Sequence, residues 1–286
     1  MKNKLDFIVV GAQKSGTTTI ASWLQNNNDV FIPNEKELPF FLKDDLNKKG
    51  VKSFIEEYFY QAKKHQLIGT STPQYMMYDY SFKEIKKIMP DIKLIAVLRD
   101  PVDRLLSHYD MAKRFGLENR NINLIINDQL NNIEYYRSLK FGNGIENYIV
   151  SGEYHRIIEV MKKSFSEDQI LLLKFSEIKS NPLKVNLKIC NFLNVKSSDI
   201  KKTHSMQGGS KSYFNHNKYI NYISKISNLN KILPSIIKKK LRLAIYKMDQ
   251  INVKHNSKSS ILDISLENLE SLKNHYKDTY KLIKSL

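Results

Sequence analysis

Within eight residues, Gly11-Ala12-Gln13-Lys14-Ser15-Gly16-Thr17-Thr18 offers two glycines, one lysine and three hydroxyls. Set between a strand and a helix, such a turn aims its backbone N–H groups at one point. The helix N-terminus and the hydroxyls complete a cradle for an anion. The chemistry that suits it is the holding and displacement of a phosphate-like group. In nucleoside triphosphatases the loop reads GxxxxGK[ST], with Lys directly after the second glycine. Here Thr17 stands at that position and Lys14 lies inside the loop, which argues against ATP turnover. A second constellation is Arg99-Asp100-Pro101, leading on to Ser107-His108-Tyr109. Arg99 ends an apolar run, and open α/β sheets bind ligands at the carboxyl ends of their strands. Its guanidinium is a forked donor for phosphate. Ser107, two helical turns past Asp100, could grip the same anion from a second side. Taken alone, an Arg99–Asp100 pair that only ties strand to helix accounts for those two residues equally well.

The elements that must position these groups are legible in the apolar pattern. Phe7-Ile8-Val9-Val10 is a continuous, largely β-branched run, the mark of a strand covered on both faces in a parallel sheet. Thr17 to Gln25 then reads as a helix with Ile20, Trp23 and Leu24 inward. Leu94 to Leu98 is a second strand; Asp100 follows as an N-cap, and Pro101 sits at the first helical position. Ile170 to Leu173 is a third strand, ahead of a helix from Pro182 to Leu193, and Leu67-Ile68-Gly69 is a weaker strand candidate. Apolar strands alternating with helices predict an α/β fold. The expected architecture is a P-loop-type parallel sheet flanked by helices on both faces, in a single domain over residues 1–286. Residues 117–146 read as a helical excursion and 215–260 as a second variable stretch. The chain end predicts one amphipathic helix, capped by Ser265, that turns Leu266, Leu269, Leu272, Tyr276, Tyr280 and Ile283 inward.

The 286 residues are 41% hydrophobic, enough for an ordinary core, so a wholly disordered chain is excluded. The formal net charge is +17, and between Lys218 and Lys258 ten Lys or Arg face one acid, Asp249. That charge suits a nucleic acid, an anionic membrane surface or an anionic ligand. Lys238-Lys239-Lys240, with Ile, Leu and Tyr interleaved, could form a basic amphipathic helix. A glycan groove or a solvated helix face would use the same residues. Cys190, the single cysteine, excludes an intrachain disulfide and reads as a small core residue. The seven histidines form no HxxxH or HxH cluster, so no metal site is expected. No leader is read in the first residues, and no apolar run approaches the ~20 residues of a membrane span, so a cytoplasmic location is expected.

Together the two constellations resemble the sulfotransferases that use 3′-phosphoadenosine 5′-phosphosulfate (PAPS). The likeness is nearest to the carbohydrate branch, with its heparan-sulfate-type and bacterial members. It runs from Phe7 to Thr18 and from Leu98 to Tyr109, then through Gly152-Glu153-Tyr154, the stretch 170–193 and the terminal helix. It implies transfer of a sulfuryl group from PAPS to a hydroxyl or amine, leaving adenosine 3′,5′-bisphosphate (PAP), with no metal. In that reading Lys14 contacts the transferring sulfate, while Gly11, Ser15, Gly16, Thr17 and Thr18 hold the 5′-phosphate. Arg99 and Ser107 take the 3′-phosphate. Asn34 to Phe41 looks like the family's Glu-x-x-Phe-Phe segment, which makes Glu37 the general base and Glu35 the second choice. Thr70 to Tyr75 resembles a segment lining the site, where some animal polysaccharide members carry Lys in place of Ser71. Gln207 to Ser212 resembles a late loop that closes over the phosphates, with Lys211 as its cation and Gly209 and Ser210 beside it. The implied acceptor is a carbohydrate or glycolipid, with contacts sought at Tyr135, Tyr136 and Arg137. The stretch 218–258 is a candidate peripheral contact with an anionic membrane at its inner face, and nucleic acid is not an expected partner. Two rivals stay open: a P-loop small-molecule kinase and a basic nucleic-acid-binding protein.

Overall fold

The computed structural model describes residues 4–35, 37–42, 50–142, 146–197, 200 and 263–286. Its strands are β1 (Phe7–Gly11), β2 (Val30–Phe31), β3 (Leu67–Ser71), β4 (Lys93–Leu98) and β5 (Ile170–Lys174). All pair in parallel, in the order β2-β3-β1-β4-β5. The helices up to the site are α1 (Thr17–Gln25), α2 (Gly50–Tyr58), α3 (Tyr80–Ile88) and α4 (Pro101–Arg114). Then come α5 (Ile122–Asn131), α6 (Ile133–Ser138), α7 (Tyr154–Lys162), α8 (Phe175–Ser180) and α9 (Pro182–Leu193). The chain closes with α10 (Leu266–His275) and α11 (Lys277–Ser285).

Every residue of β1 is buried, because successive side chains point to opposite faces and both faces are covered. Ile8 and Val10 pack in one layer with Phe82 and Ile85 of α3 and Ile157 and Met161 of α7. Phe7 and Val9 pack in the other with Ile20 and Trp23 of α1 and Val185 and Ile189 of α9. Burying a side chain of this size contributes about 1.5–3 kcal/mol, so neither face of β1 suits a polar residue. The register pairs Val9 with Ser71 on one side and Gly11 with Ala96 on the other. The turn after β1, the segment after β3 and Arg99 after β4 therefore emerge at one edge of the sheet.

The four strands read from the sequence are all present, as are the helices at 17–25, after Asp100 and at 182–193. Asp100 caps α4 by accepting from the Val102 and Asp103 amides at 3.0 and 2.9 Å. The excursion at 117–146 contains α5 and α6, and Cys190 is buried. β2, at two residues, is too short for a periodicity to mark, and α2, α3 and α7 were not predicted, nor was α8, whose stretch reads as a polar turn. The terminal helix departs from expectation: it breaks at Tyr276 into α10 and α11, and Leu266 is 86% exposed. The cause is tertiary. Tyr276 is fully buried and donates to the Ile149 carbonyl at 2.8 Å; a Cβ on Gly152 would lie 2.9 Å from its hydroxyl. Lys211, with Gly209 and Ser210, and the basic stretch 218–258 lie outside the described residues. No helix among the described residues is long and apolar enough to cross a membrane.

Glu153, fully buried at the start of α7, joins the outer helices to the body. It accepts from Arg137 at 2.6 and 3.0 Å and from Arg156 at 2.6 Å, and His275 of α10 lies 2.9 Å away. Burial by itself would raise its pKa, but hydrogen bonds from His275, Arg137 and Arg156 outweigh that and hold the carboxyl down at about 2. Arg137 is thereby committed to packing, as is Tyr136, whose hydroxyl donates to Asp128 at 2.6 Å. Of the three residues expected to meet an acceptor, Tyr135 alone is exposed. Because the folded pKa lies below the ordinary value of 4.5, the stability from Glu153 is fully present above that value and drains away as pH falls toward about 2. Glu153→Gln should cost about 3–5 kcal/mol at neutral pH, by stranding its cations, and should flatten the acid limb. An acid-unfolding series on both proteins checks this; superimposable acid limbs would remove Glu153 as their cause.

Candidate active site

β1 ends at Gly11, where a Cβ would sit 2.6 Å from the Met76 sulfur, so only glycine lets the strand end press against the segment after β3. The Ala12 amide still donates to the Val97 carbonyl at 3.0 Å, which anchors the start of the turn to β4. Gly16 takes the left-handed conformation at φ +86° as N-cap of α1, and no side chain caps that helix. The first amides of α1 thus have no intrahelical acceptor and carry the positive end of the helix dipole. Ser15 is fully buried, and its Oγ makes no hydrogen bond of good geometry although the Tyr154 hydroxyl lies beside it; Gln13 Oε1 and Arg99 Nε are buried and unpartnered as well. Interior polar atoms are nearly always paired. Orphaned donors on Ser15 and Arg99, beside uncapped amides, fit an anionic group rich in acceptor oxygens.

Arg99 donates from Nη1 to the Lys14 carbonyl at 2.9 Å, and its guanidinium lies 5.0 Å from the centre of the Phe175 ring. Among the described residues it makes no ion pair with Asp100, which caps α4 instead. The Arg99–Asp100 pair that the sequence allowed is therefore not formed. Ser107 is half-buried on the face of α4 shared, at helical spacing, with Met111 and Arg114. Lys14 Nζ reaches that face, 3.7 Å from the Met111 sulfur. Burial lowers the Lys14 pKa, and the charges of Arg114 and Arg99 lower it further, partly opposed by Glu37 and Asp110. His108 is fully buried and turned away from chemistry. Arg104 can only donate, so Nδ1 accepts at 3.4 Å, and Nε2–H is left to donate to Glu146 at 2.6 Å.

The opposite wall follows β3. The Leu38 carbonyl accepts from the Tyr75 hydroxyl at 2.7 Å and from Thr72 Oγ1 at 3.1 Å, while Phe40 and Phe41 are buried below. That clamp sets the exposed Glu37, at φ +62°, beside Gln74, whose Nε2 donates to Glu37 Oε2. The charge of Glu37 acts on Lys14, whereas Glu35 acts on Tyr58 of α2. Glu37 thus acts across the wall on the loop lysine, and Glu35 on α2. Thr17 is buried and Thr18 exposed. Phe175, Met111 and Arg114 were missed from sequence, and Gln74 was read only as part of the segment Thr70 to Tyr75 that lines the site. Phe175 had a usable signal, since it directly follows β5 at the carboxyl edge of the sheet. A cavity of about 330 Å³ lined by Tyr109, Lys113, Arg120 and Asp263 opens on the other side of α4 and includes none of these residues.

A central parallel strand, a glycine turn, an uncapped helix N-terminus and an Arg from the next strand define a P-loop-type α/β protein. Residues 4–250 match the family model described as sulfotransferase domain, and the chain belongs to the sulfotransferase family. A membrane-associated sulfotransferase of Dictyostelium discoideum, kil1, is 30% identical over 117 residues, covering 40% of this chain and 24% of that protein. Heparan sulfate glucosamine 3-O-sulfotransferase 3B1 of Mus musculus is 25% identical over 198 residues, 66% of this chain and 46% of that one. The chain thus spans less than half the length of these curated relatives. The crystal structure of a sulfotransferase from Alicyclobacillus acidocaldarius shares the fold, with a TM-score of 0.60 and 23% identity over 71% of this chain and 86% of that one.

The lowered pKa of Lys14 has a direct readout. Its ammonium should lose its proton at lower pH than the exposed lysines, so its reaction with an amine-acylating reagent should begin at lower pH than theirs. Peptide-resolved labelling across a pH series measures this, and a Lys14 profile identical to that of surface lysines would contradict it.

Proposed function

We propose that this protein is a PAPS-dependent sulfotransferase that modifies a hydroxyl or amine of a carbohydrate or glycolipid acceptor. The observation that carries this reading is the set of orphaned buried donors, Ser15 Oγ and Arg99 Nε, beside the uncapped start of α1. Family membership supports the reaction type, and the 3-O-sulfotransferase relative supports a carbohydrate acceptor. PAPS supplies an electrophilic sulfuryl group joined to a phosphate leaving group. The amides from Ser15 to Thr18, with the Ser15 and Thr17 hydroxyls, would hold the 5′-phosphate. Arg99 and Ser107 would hold the 3′-phosphate, which separates this ligand from ATP, and Lys211 would add a further cation. Lys14 would offset the charge that develops on the departing phosphate oxygen. Glu37 would take the acceptor proton as the acceptor atom attacks sulfur, and Gln74 would keep that carboxylate in place. Most of the rate then comes from positioning and from fixed electrostatics. A positioned base contributes roughly 10²–10⁴-fold.

Isothermal titration with PAP, and with Mg·ATP for comparison, tests the cofactor. PAP should bind in the micromolar range, insensitive to EDTA, and Arg99→Ala or Ser107→Ala should each weaken it roughly tenfold. A preference for Mg·ATP would favour the kinase, and steeply salt-dependent binding of nucleic acid without nucleotide binding would favour the basic binding protein. Glu37→Gln should leave PAP affinity intact while lowering kcat by roughly 10²–10⁴-fold; a kcat within a few-fold of wild type would exclude Glu37 as the base.

A further inference from the structure

Arg114, at the end of α4, is the cation of the site that no motif assigned. The other arginines among the described residues are engaged: Arg99 with the Lys14 carbonyl, Arg104 with Tyr148, Arg120 with Glu118, and Arg137 and Arg156 with Glu153. Arg114 is half-buried, and among the described residues neither a carboxylate nor a carbonyl pairs with it. It shares its helix face with Ser107 and with Met111, the residue whose sulfur touches Lys14 Nζ at 3.7 Å. Of the neighbouring charges that act on Lys14, that of Arg114 is the largest, ahead of Arg99, Glu37 and Asp110. Two cations on one wall of a site repel each other, and an anion between them converts that repulsion into attraction.

The helix also acts as a ruler. At a rise of about 1.5 Å per residue, Arg114 lies roughly 10 Å along α4 from Ser107 and about 5 Å beyond Met111. It therefore stands at the Lys14 end of the site, away from the end that Ser107 serves. The wall across from it, Ser71-Thr72-Pro73-Gln74, contains no cation.

We propose that Arg114 and Lys14 together grip the oxygens of the transferring sulfuryl group, with Arg114 as a forked donor that orients it for attack. This rests on the PAPS reading above. In the transfer, the bond from sulfur to the acceptor atom forms as the bond from sulfur to the 5′-phosphate oxygen breaks. The electron pair leaves with the phosphate, the acceptor proton passes to Glu37, and Arg114 keeps its own proton throughout.

PAP lacks the sulfuryl group that PAPS carries, so the two ligands isolate this contact. Calorimetry without acceptor, on wild type, Arg114→Gln and Arg114→Lys, should show Arg114→Gln weakening PAPS by roughly tenfold or more while PAP affinity and the thermal midpoint stay unchanged. Arg114→Lys should fall between the two. Unchanged PAPS affinity in Arg114→Gln would overturn the proposal, even if the acceptor KM rose, because the contact would then belong to the acceptor. Parallel losses for PAP and PAPS would overturn it too, since a structural role predicts them. Wild type that binds neither nucleotide would remove the PAPS reading and this inference with it.

Discussion

The hydrogen bond from Arg99 to the Lys14 carbonyl joins segments 85 residues apart, and the site depends on it. It can form because β1 and β4 are parallel neighbours in a register that brings Gly11 beside Ala96. The same adjacency lets the Ala12 amide reach the Val97 carbonyl, so the turn is held at its start and at its middle. A turn held this way can carry a lysine in a conformation lysine seldom adopts. Lys14 has φ +67° and Glu37 has φ +62°, each costing on the order of 1–3 kcal/mol. The third such residue, Asn194, is a helix C-cap, where Asn takes that conformation readily. Backbone strain without a capping role thus falls on the two residues proposed to move charge and proton.

The scaffold also disposes of charge in a way that clears the site. Arg104 is fully buried and touches no carboxylate; its guanidinium meets Tyr148 and His108, and His108 passes the connection on to Glu146. Burial keeps His108 below its usual pKa, so the ring links the two charges as a neutral imidazole. Glu153 collects Arg137, Arg156 and His275 in one buried cluster. Burying ions is costly unless they are paired, and this pairing ties α6, α7 and α10 to the body. Among the described residues, Lys14 and Arg99 at the loop make no ion pair with a carboxylate and meet the Met111 sulfur and the Lys14 carbonyl instead.

The strands and the helices α1 and α9 on one side of the sheet were readable from sequence because strand and helix periodicities are local, whereas α3 and α7 on the other side were not. Phe7 to Val10 announces burial on two faces, and Asp100-Pro101 announces a helix start, whatever the rest of the chain does. The loop from Gly11 to Thr18 is local as well: its glycines, lysine and hydroxyls sit within eight consecutive residues. Short elements such as β2 carry too few residues to show a period.

What the sequence by itself determined is therefore the parallel α/β architecture, the glycine turn between β1 and α1, and the candidacy of Lys14, Arg99 and Ser107. The tertiary structure alone decided which distant groups meet that turn. It set Glu37 beside Gln74 by clamping Leu38 onto Thr72 and Tyr75, and it brought Phe175 under Arg99. It also drew Arg137 into the Glu153 cluster and broke the terminal helix at Tyr276. Each of these outcomes is a choice of partner between residues far apart in the chain. Residue type and spacing state what a side chain can do, and only packing states what it faces.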